Sequence, residues 1–245
     1  GYGVAICHYY FYIFNIEIFQ FYSIFFVEFF FVLSGFVLFP QLKKIYNNYK
    51  QTKIFYIRRW IRTLPPYFVA LICYSILFNK FDSDTIKYLF FIQNIKQNFL
   101  NYDYFYIAWS LSIEEFFYLI FPLFLIIFKN IKILNIIFLF IFIIYLIKIF
   151  YLLTNNVDGE FFRIGTFLRL DSIAFGVIAR ILFSKINNNI FNLLSILAII
   201  IILYNFNDLK NLNKLELFLF IFFIQLFSIN MLIIFTNFNH IITSK

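Results

Sequence analysis

The sequence predicts an all-α membrane protein, a polytopic bundle of about eight transmembrane helices. Three observations carry that expectation. Of 245 residues, 63% are apolar and 13% charged, whereas soluble domains run near 25% charged and cannot cover their surface with so few polar groups. The apolar runs are continuous and do not alternate, which favours helices over a barrel. Segments rich in Lys, Asn and Asp separate them. No internal repeat and no soluble domain stands out, so residues 1–245 are read as one transmembrane domain.

Spans are expected at 1–15, 24–39, 64–78, 107–128, 133–153, 164–183, 190–206 and 215–236. The first apolar run, 2–14, is shorter than the roughly 20 residues a helix needs to cross a bilayer. It has neither the basic start nor the small-residue cleavage site of a signal peptide. The bundle is therefore expected to be cut short at its beginning. After span two, Lys43, Lys44, Lys50, Lys53, Arg58, Arg59 and Arg62 accumulate without an acid in what reads as a loop, which marks the cytoplasmic side. Alternation puts Lys129, Lys132 and Lys185 on the same side. It puts Asp82, Asp84, Asp103, Asp158 and Glu160 outside. The segment 88–95, YLFFIQNI, is too short to span and would break the charge alternation, so it is read as re-entrant or interfacial. The net charge of +8 resides mainly between spans and is a topology signal, not a sign of a nucleic-acid partner. Cys7 and Cys73 lie in apolar runs as packing residues. With His8 and His240 the only histidines, no metal-ligand spacing exists.

A charge at the bilayer centre costs about 2.5–3.5 kcal/mol, so each one inside a span calls for a reason. In span six, Gly165, Arg169, Ser172, Gly176 and Arg180 recur at steps of three and four and share a helical face. Asp171 lies about 200° around from Arg169 and must meet another helix or water. In span four, Ser110, Glu114 and Tyr118 are spaced by four, giving Glu114 polar companions. Glu115, flanked by Leu111 and Leu119, either sits at the outer interface or pairs across helices. Lys148 in span five reads as a snorkelling side chain. Glu28, Ser34 and Gly35 give span two a carboxylate and a close approach. His8 is a packing residue or a proton carrier, with a pKa near neutrality favouring the second use. Arg58, Arg59 and Arg62 serve as a positive-inside anchor or as a grip on phosphates.

With these residues in view, the chain resembles the acyltransferase 3 family of membrane O-acyltransferases acting on carbohydrates. The matching pieces, in order, are His8, 28–38 (EFFFVLSGFVL), 58–67 (RRWIRTLPPY), Gln93-Asn94, 109–122 (WSLSIEEFFYLIFP) and 169–176 (RLDSIAFG). The match covers about 8 to 180; the last two spans match in hydrophobicity alone. The resemblance implies transfer of an acyl group, usually acetyl from acetyl-CoA, to a hydroxyl of a sugar or cell-surface polysaccharide. The CoA ester is then a donor substrate, with no permanently bound cofactor. It implies further helices at the C-terminal end and a place in the bacterial inner or plasma membrane. The family's essential first-helix histidine maps to His8. On this basis His8 is expected as general base, with Glu28 or Glu114 orienting the imidazole or the sugar. Arg58, Arg59 and Arg62 are expected on the CoA phosphates, and Trp109, Ser110, Glu115, Arg169 and Asp171 along the acceptor path. The competing class is a transporter or flippase for a glycan or lipid-linked substrate, in which the buried charges form a substrate path. It predicts broken helices paired between two similar halves, and no such symmetry is visible in the sequence.

Overall fold

Thirty-one residues, Glu17–Asn47, form the first described helix, α1, in the computed structural model. The structure describes residues 17–99, 104–105, 108–154, 159–182, 193–195, 197–201 and 213–243. After α1 come α2 (Gln51–Leu77), α3 (Ser83–Leu89), α4 (Trp109–Ile127), α5 (Ile133–Leu153), α6 (Gly159–Ile164), α7 (Leu170–Leu182) and α8 (Lys214–Thr243). Residues 193–195 and 197–201 are also helical. No strand occurs among the described residues. Apolar runs of this length have no water to satisfy backbone N–H and C=O groups inside a bilayer, and a helix satisfies them internally.

Five helices among the described residues are long and apolar enough to cross a membrane: Tyr22–Asn47, Gln51–Leu77, Trp109–Ile127, Ile133–Leu153 and Lys214–Thr236. They answer to the expected spans at 24–39, 64–78, 107–128, 133–153 and 215–236. The expected span 1–15 lies outside the described residues, and 190–206 lies partly outside them. The span expected at 164–183 is corrected. It is broken into α6, a 3-10 turn at Thr166–Leu168 and α7, with Gly165 extended (φ −60, ψ 125) and Arg169 at φ −120, ψ 0. The 13 described residues of α7 cover about 20 Å. Gly165 and Arg169 therefore do not extend the helical face of Ser172, Gly176 and Arg180.

The basic loop expected after span two is corrected as well. Lys43 and Lys44 lie in the last turns of α1, and Lys53, Arg58, Arg59 and Arg62 lie in the first half of α2. Asn48, Tyr49 and Lys50 alone separate the two helices. Hydropathy marks the apolar part of a helix, and these helices run on past it. The segment 88–95 makes no spanning helix. Asp82 caps α3 by accepting from the Asp84 and Thr85 amides, and Thr85 returns the bond. Phe91, at φ 61, then turns the chain into a 3-10 turn at Ile92–Asn94 that buries Gln93 and Asn94.

The described residues fall into two compact units, one formed up to Leu38 and from Ser172 onward, the other from Phe39 to Asp171. In the first, α1 and α7 approach closely at two glycines. A Cβ at Gly35 would overlap the Ile173 carbonyl, and one at Gly176 would overlap the Val32 carbonyl. Val32, Phe36, Ala179, Ile229, Leu232 and Ile233 fill the core beside them. In the second, Tyr67, Leu71, Tyr88, Phe91, Tyr104 and Ala108 form one cluster. Phe117 stacks on Phe121 at 4.8 Å between ring centroids, and Phe121 meets Phe140 of α5 edge-to-face at 5.0 Å.

Candidate functional site

A buried polar side chain inside apolar helices is stable only when its hydrogen-bonding groups are met. In the first unit, Glu28 of α1 is 1% exposed. Its Oε2 accepts a hydrogen bond from Ser172 Oγ of α7 at 3.0 Å. Gln225 Nε2 of α8 donates in turn to Ser172 Oγ at 2.7 Å. Three helices thus meet at one hydroxyl. Arg180, two turns further along α7, turns out to an exposed position with its guanidinium 4.8 Å from the Phe36 ring centre.

In the second unit the α2–α4 contact is polar along its length. Tyr56, Arg59 and Thr63 are spaced by three and four on α2. Tyr56 Oη donates to the Leu119 carbonyl at 2.9 Å, Arg59 Nη1 donates to Tyr118 Oη at 3.4 Å, and Thr63 Oγ1 donates to Glu115 Oε1 at 2.8 Å. The Arg59 guanidinium also lies 4.7 Å from the Tyr118 ring centre. Tyr118 Oη donates to Glu114 Oε2 at 3.2 Å. Both carboxylates are buried. Glu115 therefore takes the cross-helix alternative, and Glu114 keeps the company its four-residue spacing predicts. Arg58 and Arg62 are exposed on α2, while Arg59 is turned onto Tyr118.

Deeper in the same unit, Lys148 Nζ meets Asp171 Oδ2 at 2.5 Å, with side chains 2% and 0% exposed. This corrects the snorkelling expectation for Lys148, whose ammonium is drawn inward by a carboxylate that would otherwise stand in apolar surroundings. Asp171 finds its partner on another helix, one of the two alternatives, helix or water, that the sequence left open. Arg169 is 1% exposed and lies within electrostatic reach of Asp171. Trp109 is buried with the Arg163 guanidinium 5.8 Å from its ring centre, and Ser110 is half-buried. Gln93 Nε2 donates to Ser112 Oγ at 2.7 Å. Outside the spanning helices, burial, with Asp84, Tyr74 and Tyr104 nearby, raises the Tyr88 phenol above its ordinary value, so that it stays neutral. No group of three or more His, Cys, Asp or Glu able to hold a metal occurs among the described residues.

His8 and Cys7 lie outside the described residues. Gln225 and Thr63 are the polar partners that the charge pattern passes over. The signal for Gln225 is a polar stripe in the apolar run 215–236, in which Ser228 and Asn230 follow it three and five residues on.

Long apolar helices holding buried carboxylates, guanidiniums and hydroxyls define a multi-pass membrane protein with a polar interior. Its family is shown by the sequence. Residues 3–243 match the family described as an acyltransferase domain, and the chain belongs to that family. It is 37% identical over 133 residues to the peptidoglycan O-acetyltransferase OatA of Listeria monocytogenes, an alignment covering 44% of this chain and 21% of that protein. The chain thus spans about a fifth of that relative's length. No solved structure matches the chain.

Proposed function

We propose that the protein is a membrane O-acyltransferase that moves acetyl from acetyl-CoA to a hydroxyl of a cell-surface polysaccharide in the bacterial cell membrane. The observation that carries this is the family match over 3–243. The name of the Listeria relative makes peptidoglycan the first acceptor to try. The buried carboxylates of Glu28 in the first unit and Glu114 in the second each accept from a hydroxyl, which supports proton handling away from bulk water within each unit.

In the proposed reaction His8 takes the proton of the acceptor hydroxyl as its oxygen attacks the thioester carbonyl. The carbon–sulfur bond breaks, and the departing CoA sulfur receives the proton from the imidazolium. Such general-base help is worth about 10²–10⁴ in rate. Glu28 or Glu114 orients the imidazole or the sugar. Arg58, Arg59 and Arg62, assigned to the cytoplasmic side, hold the CoA phosphates. Trp109, Ser110, Glu115, Arg169 and Asp171 form the acceptor path, with Glu115 and Asp171 kept in place by Thr63 and Lys148.

Membranes carrying the full-length protein are supplied with radiolabelled acetyl-CoA, and incorporation into glycan is measured. Wild type is expected to label glycan and His8→Ala to lose nearly all incorporation. Equal labelling by the two would remove His8 from the reaction, and a label that stays in free acetate would point to hydrolysis without an acceptor.

A further inference from the structure

A serine hydroxyl carries one proton to give and lone pairs to receive with. At Ser172 the receiving side is taken by the Gln225 amide, whose Nε2 can only donate, at 2.7 Å. The proton is thereby left for Glu28 Oε2 at 3.0 Å. The order is directional: amide to hydroxyl to carboxylate. All three side chains are fully buried, Gln225 and Ser172 at 0% and Glu28 at 1% exposure. A buried hydrogen bond of this kind acts in a low-dielectric setting, where its polarity counts for more than at a surface.

We propose that Gln225 is a positioning residue for acyl transfer. By donating to Ser172 it fixes that hydroxyl as a donor to Glu28, and so holds the Glu28 carboxylate as an acceptor in a single orientation. The proposal rests on Glu28 being an orienting carboxylate, as assigned above. It gives α8, which lies within the family match but carries none of the motifs named in the sequence analysis, a part in the chemistry. Glu28 is the titratable member of the three. Among the described charged groups of that unit, Arg180 lies over Phe36 two turns along α7. Lys214 and Glu216 stand at the start of α8, with Glu216 nine residues before Gln225, about 14 Å along the helix.

The test compares wild type, Gln225→Met and Gln225→Glu in full-length protein, with acetyl-CoA and a polysaccharide acceptor, after thermal unfolding in detergent has shown which are folded. Gln225→Met keeps the length of the side chain without a donor. It is expected to lower kcat about tenfold with little change in the KM for acetyl-CoA, the loss typical of one hydrogen bond in a charged network. Gln225→Glu is close to isosteric, but its carboxyl can donate to Ser172 only when protonated. Its activity relative to wild type should climb as pH falls, approaching about tenfold per unit above the pKa of the new acid. A merely structural tie between helices would leave that ratio flat. A flat ratio, or wild-type kcat in folded Gln225→Met, overturns the proposal. If Gln225→Met does not fold, the pH profile of Gln225→Glu decides alone. Folded wild type that transfers nothing at any pH overturns the acyltransferase assignment beneath it, a different failure from the first two.

Discussion

Lys148 and Asp171 show how a single buried charge is made tolerable. Neither has water to solvate it, and each meets the other at 2.5 Å. Removing one member takes from the other its closest opposite charge. Lys148→Met is expected to cost about 3–5 kcal/mol, and the double change Lys148→Met with Asp171→Asn to recover most of it. Unfolding in micelles across the four proteins measures the coupling, and additive losses would dissolve the pair. Tyr118 occupies a similar position between Glu114 and Arg59. Tyr118→Phe keeps the ring under the guanidinium but removes the hydroxyl, so transfer should fall about tenfold with little change in unfolding temperature. An unchanged transfer rate would take Tyr118 out of the site. At this scale the sequence was partly legible. The step of four tied Glu114 to Tyr118, whereas the 200° offset of Asp171 was counted from Arg169, which stands outside α7. That Lys148 was the partner could not be read, because a lysine near a helix end and a lysine turned inward have the same sequence pattern.

Helices were legible where apolar length and helix length coincide. α5 begins and ends where hydropathy predicts, at Ile133 and Leu153. α1 and α2 extend beyond their apolar portions into basic turns, which hydropathy alone reads as loop. The break between α6 and α7 was hidden because Gly165 and Arg169 fit the same three-and-four spacing as an unbroken helix would give. The glycines of span two and α7 carried a clearer message, and the close contact of Gly35 with Ile173 and of Gly176 with Val32 makes it testable. Gly35→Ala and Gly176→Ala should each destabilise the protein by about 1–3 kcal/mol, because the obstacle to the new methyl group is backbone that cannot rotate aside. Unchanged unfolding of both variants in detergent would mean that the helices can part at no cost.

For the whole molecule, the described residues hold five helices able to cross a membrane, toward the expected count of about eight. The orientation rests on Lys43 to Arg62, proposed to lie in the cytoplasm. A cysteine placed at Lys53 in a Cys7→Ser, Cys73→Ser background should react with an impermeant maleimide only after the membrane is opened, whereas one at Ser83 should react in intact cells. The reverse pattern would invert the topology and place the proposed CoA grip on the wrong side. The paired glycines carry a further consequence for the molecule as a machine. Because each faces a carbonyl of the opposite helix, α1 and α7 mesh in one register, and sliding past each other by a turn would need about 5.4 Å of travel. Glu28 stands seven residues before Gly35, and Ser172 four before Gly176, so the notch that meshes the helices also sets the reach between acid and hydroxyl. Any gating stroke must therefore pass through other joints and leave this one closed.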